Sequence, residues 1–264
     1  MEVLAYCCAL AIGLVMGLSG AGGAILTVPV LVYLAGIEPV TATAYSLFIV
    51  GITSVFGTVQ NLRKGTVMLR TGLIYATPSI AGVFIARRLI LPALPDILFT
   101  TGSFQLTKGA LLMVIFSMLM FFAAISLLRT RSSSQPVPDK NRMLLAFQIF
   151  LAGLVVGLVG AGGGFLFVPM LIFVAKMPMK NAAATSLLII ALNSAVGFAG
   201  SAADIDCNWM FLLIFSAVAI AGILAGIAYS ARVDDKKLKR GFGWFVLVMS
   251  VVIFSTEVIL PMLV

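Results

Sequence analysis

Histidine is absent from the 264 residues of this chain, and cysteine occurs only three times. Without histidine the chain lacks the commonest metal ligand and the commonest general base of proteins. Cys7, Cys8 and Cys207 show no paired spacing of the kind that holds a metal ion or a disulfide framework. We therefore expect neither a metal site nor another cofactor.

Charge is also scarce, because only 10% of the residues are charged and 62% are apolar. Soluble domains average about 25% charged residues, so a soluble fold could not cover this sequence with polar surface. Lipid does not penalise exposed apolar side chains, and apolar runs of the length that crosses about 30 Å of hydrocarbon recur along the whole chain. The composition predicts an all-α, polytopic integral membrane protein with no separate soluble domain.

Ten apolar segments can be marked along the chain. A polar linker separates the first five from the last five, which predicts a first transmembrane repeat over 1–128, a cytoplasmic linker over 129–142 and a second repeat over 143–264. The segments cover roughly 3–19, 23–36, 41–60, 71–90, 108–128, 143–159, 164–176, 182–203, 209–231 and 241–261.

An internal repeat with a constant offset of 140 relates the two halves. Between positions 13 and 31, 13 of 19 residues are identical to their partners. Apolar helices match by chance in Leu and Val, but not in five glycines and a proline in register. The matching residues are Gly13, Gly17, Gly20, Gly22, Gly23, Pro29 and Leu31 with Gly153, Gly157, Gly160, Gly162, Gly163, Pro169 and Leu171.

The net charge of +8 comes from Lys and Arg in short loops, so we expect it to set orientation in the membrane rather than to bind nucleic acid. The basic loops fall on one side, the cytoplasm, which places both termini outside. Five segments per repeat is an odd number, so the second half enters with inverted topology, as in many secondary transporters. Arg87 and Arg88 do not fit this pattern, because they fall near the outer side. We attribute this to snorkelling, in which the long side chains extend to the membrane interface.

The second and seventh segments are short, and each contains a proline, Pro29 or Pro169, as a structural hinge. Each also follows a glycine cluster, where the chain can turn sharply. Residues 3–36 and 143–176 therefore form either two re-entrant hairpins or pairs of full but short spans. The sequence leaves both open and predicts about 8–10 membrane segments.

If the hairpins turn inside the membrane, two helix N-termini point into the protein and form an anion site from unpaired N–H groups. Hydroxyl and amide side chains at nearby positions can donate to the same oxyanion. The alternatives are glycines that only allow helices to pack and hydroxyls that bond their own helix backbone. The predicted substrate-binding residues are Gly20, Gly22, Gly23, Thr43, Ser46, Gly160, Gly162, Gly163, Thr185, Ser186 and Asn193.

The doubled glycine motif resembles the repeated signature of the TauE/SafE family of sulfite and organosulfonate exporters. The motif runs from Gly17 to Leu31 and again from Gly157 to Leu171, and the resemblance covers essentially the whole chain. It implies a multi-pass permease of a bacterial inner membrane for small anions such as sulfite, sulfoacetate or thiosulfate. Substrates vary within the family, and some members take carboxylates.

Parts of the sequence are also compatible with two other classes of function. Gly17-Leu18-Ser19-Gly20 matches the sequence around the serine of rhomboid proteases, but a serine nucleophile needs a base and histidine is absent, so we expect no catalytic residue. A passive anion channel, or an uptake permease for another small anion or carboxylate, is the main alternative. We favour export, because an inside-negative potential drives anions out. The expected partners are a small anion and the bilayer, with a homodimer left open.

Overall fold

The computed structural model describes residues 2–19, 23–101, 104–129, 142–160, 162–230 and 235–259. Over these ranges the predicted all-α fold is confirmed, with one short addition, an antiparallel hairpin of β1 (Ile97–Thr101) and β2 (Phe104–Thr107). Most of the predicted linker lies outside the described residues. The helices are α1 (Glu2–Ser19), α2 (Ala24–Pro29), α3 (Pro39–Arg63), α4 (Leu69–Ile85), α5 (Leu91–Ala93), α6 (Lys108–Arg129), α7 (Arg142–Val159), α8 (Gly164–Phe173), α9 (Met179–Ser201), α10 (Trp209–Tyr229) and α11 (Asp235–Phe254).

Three π-helical segments extend or join these helices, at Val30–Leu34, Ala86–Ile90 and Ser255–Ile259. Each of the ten apolar segments expected from the sequence coincides with one of the helices or with a helix and its π-helical continuation. In the described part of the chain, five helices are long and apolar enough to cross a membrane: Pro39–Arg63, Leu69–Ala93, Lys108–Ile125, Met179–Ser201 and Trp209–Tyr229.

The first helix of each half packs against the fourth segment of the other half. A Cβ atom built on Gly17 of α1 would lie 2.8 Å from Gly226 Cα of α10. In the equivalent pair, a Cβ on Gly157 of α7 would lie 2.9 Å from Val83 Cα of α4. The outer glycines of the repeat therefore allow close backbone approach between helices, as small residues do in membrane proteins.

The equivalent helices α3 and α9 pack together and run antiparallel. A Cβ on Gly57, late in α3, would meet Leu187, early in α9, at 3.1 Å. At the other end, a Cβ on Gly197, late in α9, would meet Leu47, early in α3, at 2.9 Å. Both contacts are related by the offset of 140. Antiparallel packing of equivalent helices is the arrangement that inverted-topology repeats require.

Large apolar side chains cover much of the outer surface. Phe122 is 67% exposed, Met210 75% and Met143 80%. The interior instead contains tightly buried Leu, Ile, Phe and Ala side chains between α1, α3 and α10 and their equivalents. Such a surface suits contact with lipid, whereas in water it would be costly.

Candidate functional site

The glycine cluster between α7 and α8 forms a sharp turn with left-handed backbone. Gly160, Gly162 and Gly163 have φ values of 74°, 65° and 77°, which glycine adopts without the steric cost that other residues bear. All three are buried. The Gly160 N–H closes α7 by donating to Val156 O at 2.9 Å, and Gly163 O accepts from Leu166 N at 3.0 Å at the start of α8.

This turn extends from near the start of α3 to its middle, since a Cβ on Gly160 would collide with Thr43 O, in the second turn of α3. A Cβ on Gly162 would lie 2.5 Å from Val50 Cγ1 and 3.1 Å from Ile190 Cγ2. Val50 is next to the midpoint of α3, and Ile190 is the midpoint of α9. The ten residues of α8 extend about 15 Å, about half of the hydrocarbon thickness. The Gly162 end of the turn therefore lies deep in the protein, and α8 by itself is too short for a full span.

The first-half hairpin is less regular. Gly20 and Gly22 lie outside the described residues. Gly23 is buried and has a right-handed φ of −65°, so it does not copy the backbone of Gly163. Pro29 ends α2, and the π-helical segment Val30–Leu34 follows directly, whereas Pro169 lies inside the uninterrupted helix α8. The two predicted hinges thus differ in their local effect.

The predicted hydroxyl groups lie near opposite ends of the central helices. Thr43, early in α3, donates from Oγ1 to Val40 O at 2.7 Å, and Ser186, early in α9, donates from Oγ to Ala183 O at 2.8 Å. Ser46 is fully buried, and its Oγ has no hydrogen-bond partner among the described residues. Since α3 and α9 are antiparallel, Thr43 and Ser186 cannot bind one small ligand together.

Thr185 and Tyr45, which are equivalent positions, each hold the first turn of a following helix. Thr185 Oγ1 accepts from Met68 N at 3.0 Å, and Tyr45 Oη accepts from Asn208 N at 2.6 Å. Met68 and Asn208 are themselves equivalent and precede α4 and α10. The Thr185 hydroxyl is therefore engaged in a structural contact.

Asn193 joins two helices in the interior. Its Nδ2 donates to Ser79 Oγ of α4 at 2.6 Å, and both side chains are fully buried. Its Oδ1 has no partner among the described residues. An interhelical bond of this kind stabilises helix packing in membranes by about 0.6 kcal/mol on average.

Arg87 was missed by the sequence analysis, and the snorkelling assigned to it is wrong. It is 1% exposed and lies inside the protein, in the π-helical segment Ala86–Ile90 that follows α4. Its Nη1 donates to Thr43 Oγ1 at 3.1 Å and to Ser201 Oγ at 3.4 Å. Its Nη2 lies 2.7 Å from where a Cβ on Gly160 would be. The site beside the deep turn therefore contains a buried cation.

A cavity of about 270 Å³ connects Arg87 with polar residues in the neighbouring loops. The volume exceeds that of several water molecules. Glu38, one of its lining residues, is already engaged as the N-cap of α3, because its carboxylate accepts from Val40 N and Thr41 N. The lining residues are Glu38, Val40, Ala44, Arg87, Leu91, Pro92, Asp96, Lys108, Ser201, Asp204 and Ile205.

Comparison with known proteins identifies the family. The profile of the family described as Sulfite exporter TauE/SafE matches residues 5–253. The chain belongs to the TauE/SafE family. No solved structure matches it.

Its TauE/SafE relatives bear names of the same kind. A "Probable membrane transporter protein" of Xylella fastidiosa (strain Temecula1 / ATCC 700964) is 28% identical over 249 residues, 91% of this chain and 90% of the relative. "Probable membrane transporter protein YunE" of Bacillus subtilis (strain 168) is 28% identical over 244 residues, 86% of this chain and 87% of the relative. The family and the apolar helices together establish a multi-pass membrane transporter.

Proposed function

We propose that this protein is a secondary transporter that exports a small, sulfur-containing anion, such as sulfite, sulfoacetate or thiosulfate, across a bacterial inner membrane. The observation that carries the proposal is the deep glycine turn, where α8 begins between the midpoints of α3 and α9. A helix that starts there directs its unpaired N–H groups and its positive dipole end into the protein interior. Anions bind at such ends without special side chains.

The antiparallel packing of α3 and α9 supports the same function. Two inverted repeats can rock against each other and expose one central site to either side of the membrane in turn. Ser46 supplies a fully buried hydroxyl that has no hydrogen-bond partner among the described residues. In this proposal, Gly160, Gly162 and Gly163 shape the turn and Thr43 and Ser46 line it.

The predicted residues of the first half would form the counterpart of this turn in the inverted repeat. Gly20, Gly22 and Gly23 would form the second turn, approached from the opposite side, with Thr185 and Ser186 near it. Asn193 holds α9 against α4 and so fixes the wall of the site. The proposed orientation places both termini outside.

Flux through purified protein in liposomes tests the function. We expect saturable, potential-driven efflux of sulfite, sulfoacetate or thiosulfate, because each negative charge gains about 2.3 kcal/mol per 100 mV of inside-negative potential. Efflux that never saturates, together with single-channel currents, would show a passive anion channel. Accumulation of the anion inside the liposomes, against the inside-negative potential, would show an uptake permease. Absence of flux for these anions and for short carboxylates would refute the proposal.

Substitution of Gly162 by alanine tests the turn. The new Cβ would lie 2.5 Å from Val50 Cγ1 on left-handed backbone, so the turn must shift and flux should fall at least about tenfold, equivalent to about 1.4 kcal/mol. Gly65→Ala is the matched control, since Gly65 has a φ of 66° and nothing within 4 Å of the added atom. Equal flux in both variants would remove Gly162 from the site.

A further inference from the structure

Arg87 has one edge of its guanidinium engaged and the other free. Its Nη1 is held by the hydroxyls of Thr43 and Ser201. Its Nε and Nη2 have no hydrogen-bond partner among the residues that the structure describes. These two nitrogens lie on the same side of the planar group and form the fork that binds two oxygens of one anion.

Burial of a guanidinium costs free energy unless the charge is paired, here with a bound ligand. Arg87 is 1% exposed, and an arginine cannot lose its proton to avoid the cost of burial. Hydrogen bonds from a charged donor to an anion are about twice as strong as neutral ones. An oxyanion at the free edge would therefore satisfy both nitrogens and the buried charge together.

The free edge of Arg87 is enclosed, because neither Nε nor Nη2 is accessible to solvent. Gly160 carries no side chain, and any Cβ there would come within 2.7 Å of Arg87 Nη2. The cavity of about 270 Å³ also reaches Arg87 from the loops around Asp96 and Asp204. A ligand must open a way to the edge from this cavity, whose lining also includes the carboxylates of Glu38, Asp96 and Asp204 and the ammonium of Lys108.

We propose that the Nε–Nη2 edge of Arg87 binds the headgroup of the transported anion, and that this headgroup has at least two oxygens in fork geometry. Sulfite, a sulfonate and a carboxylate meet this condition, whereas a halide does not. The inference rests on the proposed function, since it names the residue that selects its substrate. Thr43 and Ser201 act as positioning residues, because they hold Nη1 so that the opposite edge faces the ligand.

The repeat makes this site asymmetric. The residue equivalent to Arg87 is Ile227, so the second half offers no matching guanidinium. The turn at Gly160 therefore binds the headgroup through a guanidinium, whereas the cation at the equivalent position of α10 is the ammonium of Lys64, whose Nζ donates to Ile227 O at 3.1 Å. Substitution of Arg87 alone should then remove recognition of the headgroup completely and not only in one half of the protein.

Binding of sulfite to detergent-purified protein tests the proposal independently of flux. A ligand that binds only the folded protein raises its melting temperature, so sulfite should raise that of the wild type and chloride at equal ionic strength should not. Arg87→Lys keeps the charge but lacks the fork, and it should weaken sulfite binding at least about tenfold. Arg88→Gln is the matched control, because Arg88 is the exposed neighbour, and its affinity should stay within about twofold.

Each result decides a separate point. Unchanged sulfite affinity in Arg87→Lys, or no stabilisation of the wild type by sulfite, sulfoacetate, thiosulfate or acetate, overturns the Arg87 assignment. Wild-type flux that persists in Arg87→Lys leaves the transport function standing without this subsite, whereas sulfite binding without flux contradicts transport alone. If Arg87→Lys does not fold, Ser201→Ala replaces it, with a severalfold loss of affinity expected and unchanged affinity counting against the proposal.

Discussion

Two equivalent residues end the short apolar segments with left-handed backbone, and only one of them is glycine. Gly36 has a φ of 68° and Lys176 a φ of 53°. The same hydrogen bond follows each, from Ile37 N to Leu31 O at 3.0 Å and from Met177 N to Leu171 O at 3.1 Å. Left-handed backbone costs a residue with a Cβ roughly 1–2 kcal/mol, so the second half retains strain that the first half avoids.

Lys176→Gly should therefore stabilise the protein. We expect a gain of about 0.5–1 kcal/mol, because relief of the strain outweighs the greater chain entropy of glycine. The measurement is the free energy of unfolding, or the melting temperature, of purified protein in detergent. Gly36→Ala is the reverse control and should destabilise by a similar amount. A lower stability for Lys176→Gly would show that the lysine side chain contributes more than its backbone costs.

Sequence alone could predict the glycine turn between α7 and α8 but not the buried cation beside it. The glycines have partners at an offset of 140, whereas Arg87 is paired with Ile227 and leaves no trace in the repeat. Arg87 and Arg88 also lie next to each other near the end of an apolar run. Which of them faces inward depends on the phase of the helix, and the π-helical segment Ala86–Ile90 changes that phase after α4.

At the level of helices, the interface between α1 and α10 is set by glycine. A Cβ on Gly17 would lie 2.7 Å from Ile227 N and 2.8 Å from Gly226 Cα. These are backbone atoms, which cannot rotate away as side-chain ends can. The addition of even one methyl group at Gly17 must therefore push the two helices apart.

Gly17→Ala should destabilise the protein by about 1–3 kcal/mol, the usual result of overpacking. The yield of folded protein and its melting temperature in detergent measure the effect. Gly109→Ala in α6 is the matched control, because the added Cβ would lie 3.3 Å from its nearest neighbour, a side-chain atom of Pro39, and would meet no backbone atom. If both variants melt at the wild-type temperature, α1 and α10 do not need this close approach.

Hydropathy was sufficient to locate the helices, because a chain in lipid must form continuous apolar helices to satisfy its backbone. It could not show that α1 packs across the halves against α10, since that depends on tertiary contacts. The hairpin of β1 and β2 and the π-helical segments were also not predicted. The π-helical segments lie in apolar runs that carry no signal to mark them. The hairpin did have a signal, since Gly102-Ser103 separates two runs rich in aromatic and β-branched residues, and it was overlooked.

For the whole molecule, the predicted orientation can be tested with a native cysteine. Cys207 lies in the loop before α10, which we expect outside, while Arg63 at the end of α3 should face the cytoplasm. In a background with Cys7 and Cys8 replaced by alanine, a membrane-impermeant maleimide should label Cys207 in intact spheroplasts. Arg63→Cys, in the same background with Cys207 also replaced, should react only after permeabilisation. Labelling of both from one side would refute the inverted arrangement.

The pH dependence of that labelling follows from the surroundings of the thiol. Burial, and then the charge of Asp206, raise the pKa of Cys207 above its ordinary value. The thiolate is the reactive form, so a raised pKa leaves less of it at neutral pH. The labelling rate should therefore keep rising as the pH is increased beyond the pKa of a free thiol. Asp206→Asn should increase the rate at neutral pH.

The first helix of each half packs against a helix of the other half, and this arrangement has a consequence for synthesis in the cell. The main neighbour of α1 is α10, which begins 190 residues after α1 ends, at Trp209 against Ser19. At ordinary rates of translation this interval lasts on the order of 10–40 s. Throughout it, the glycine face of α1 has no permanent neighbour, so lipid, the insertion machinery or a chaperone must cover it until the second half arrives.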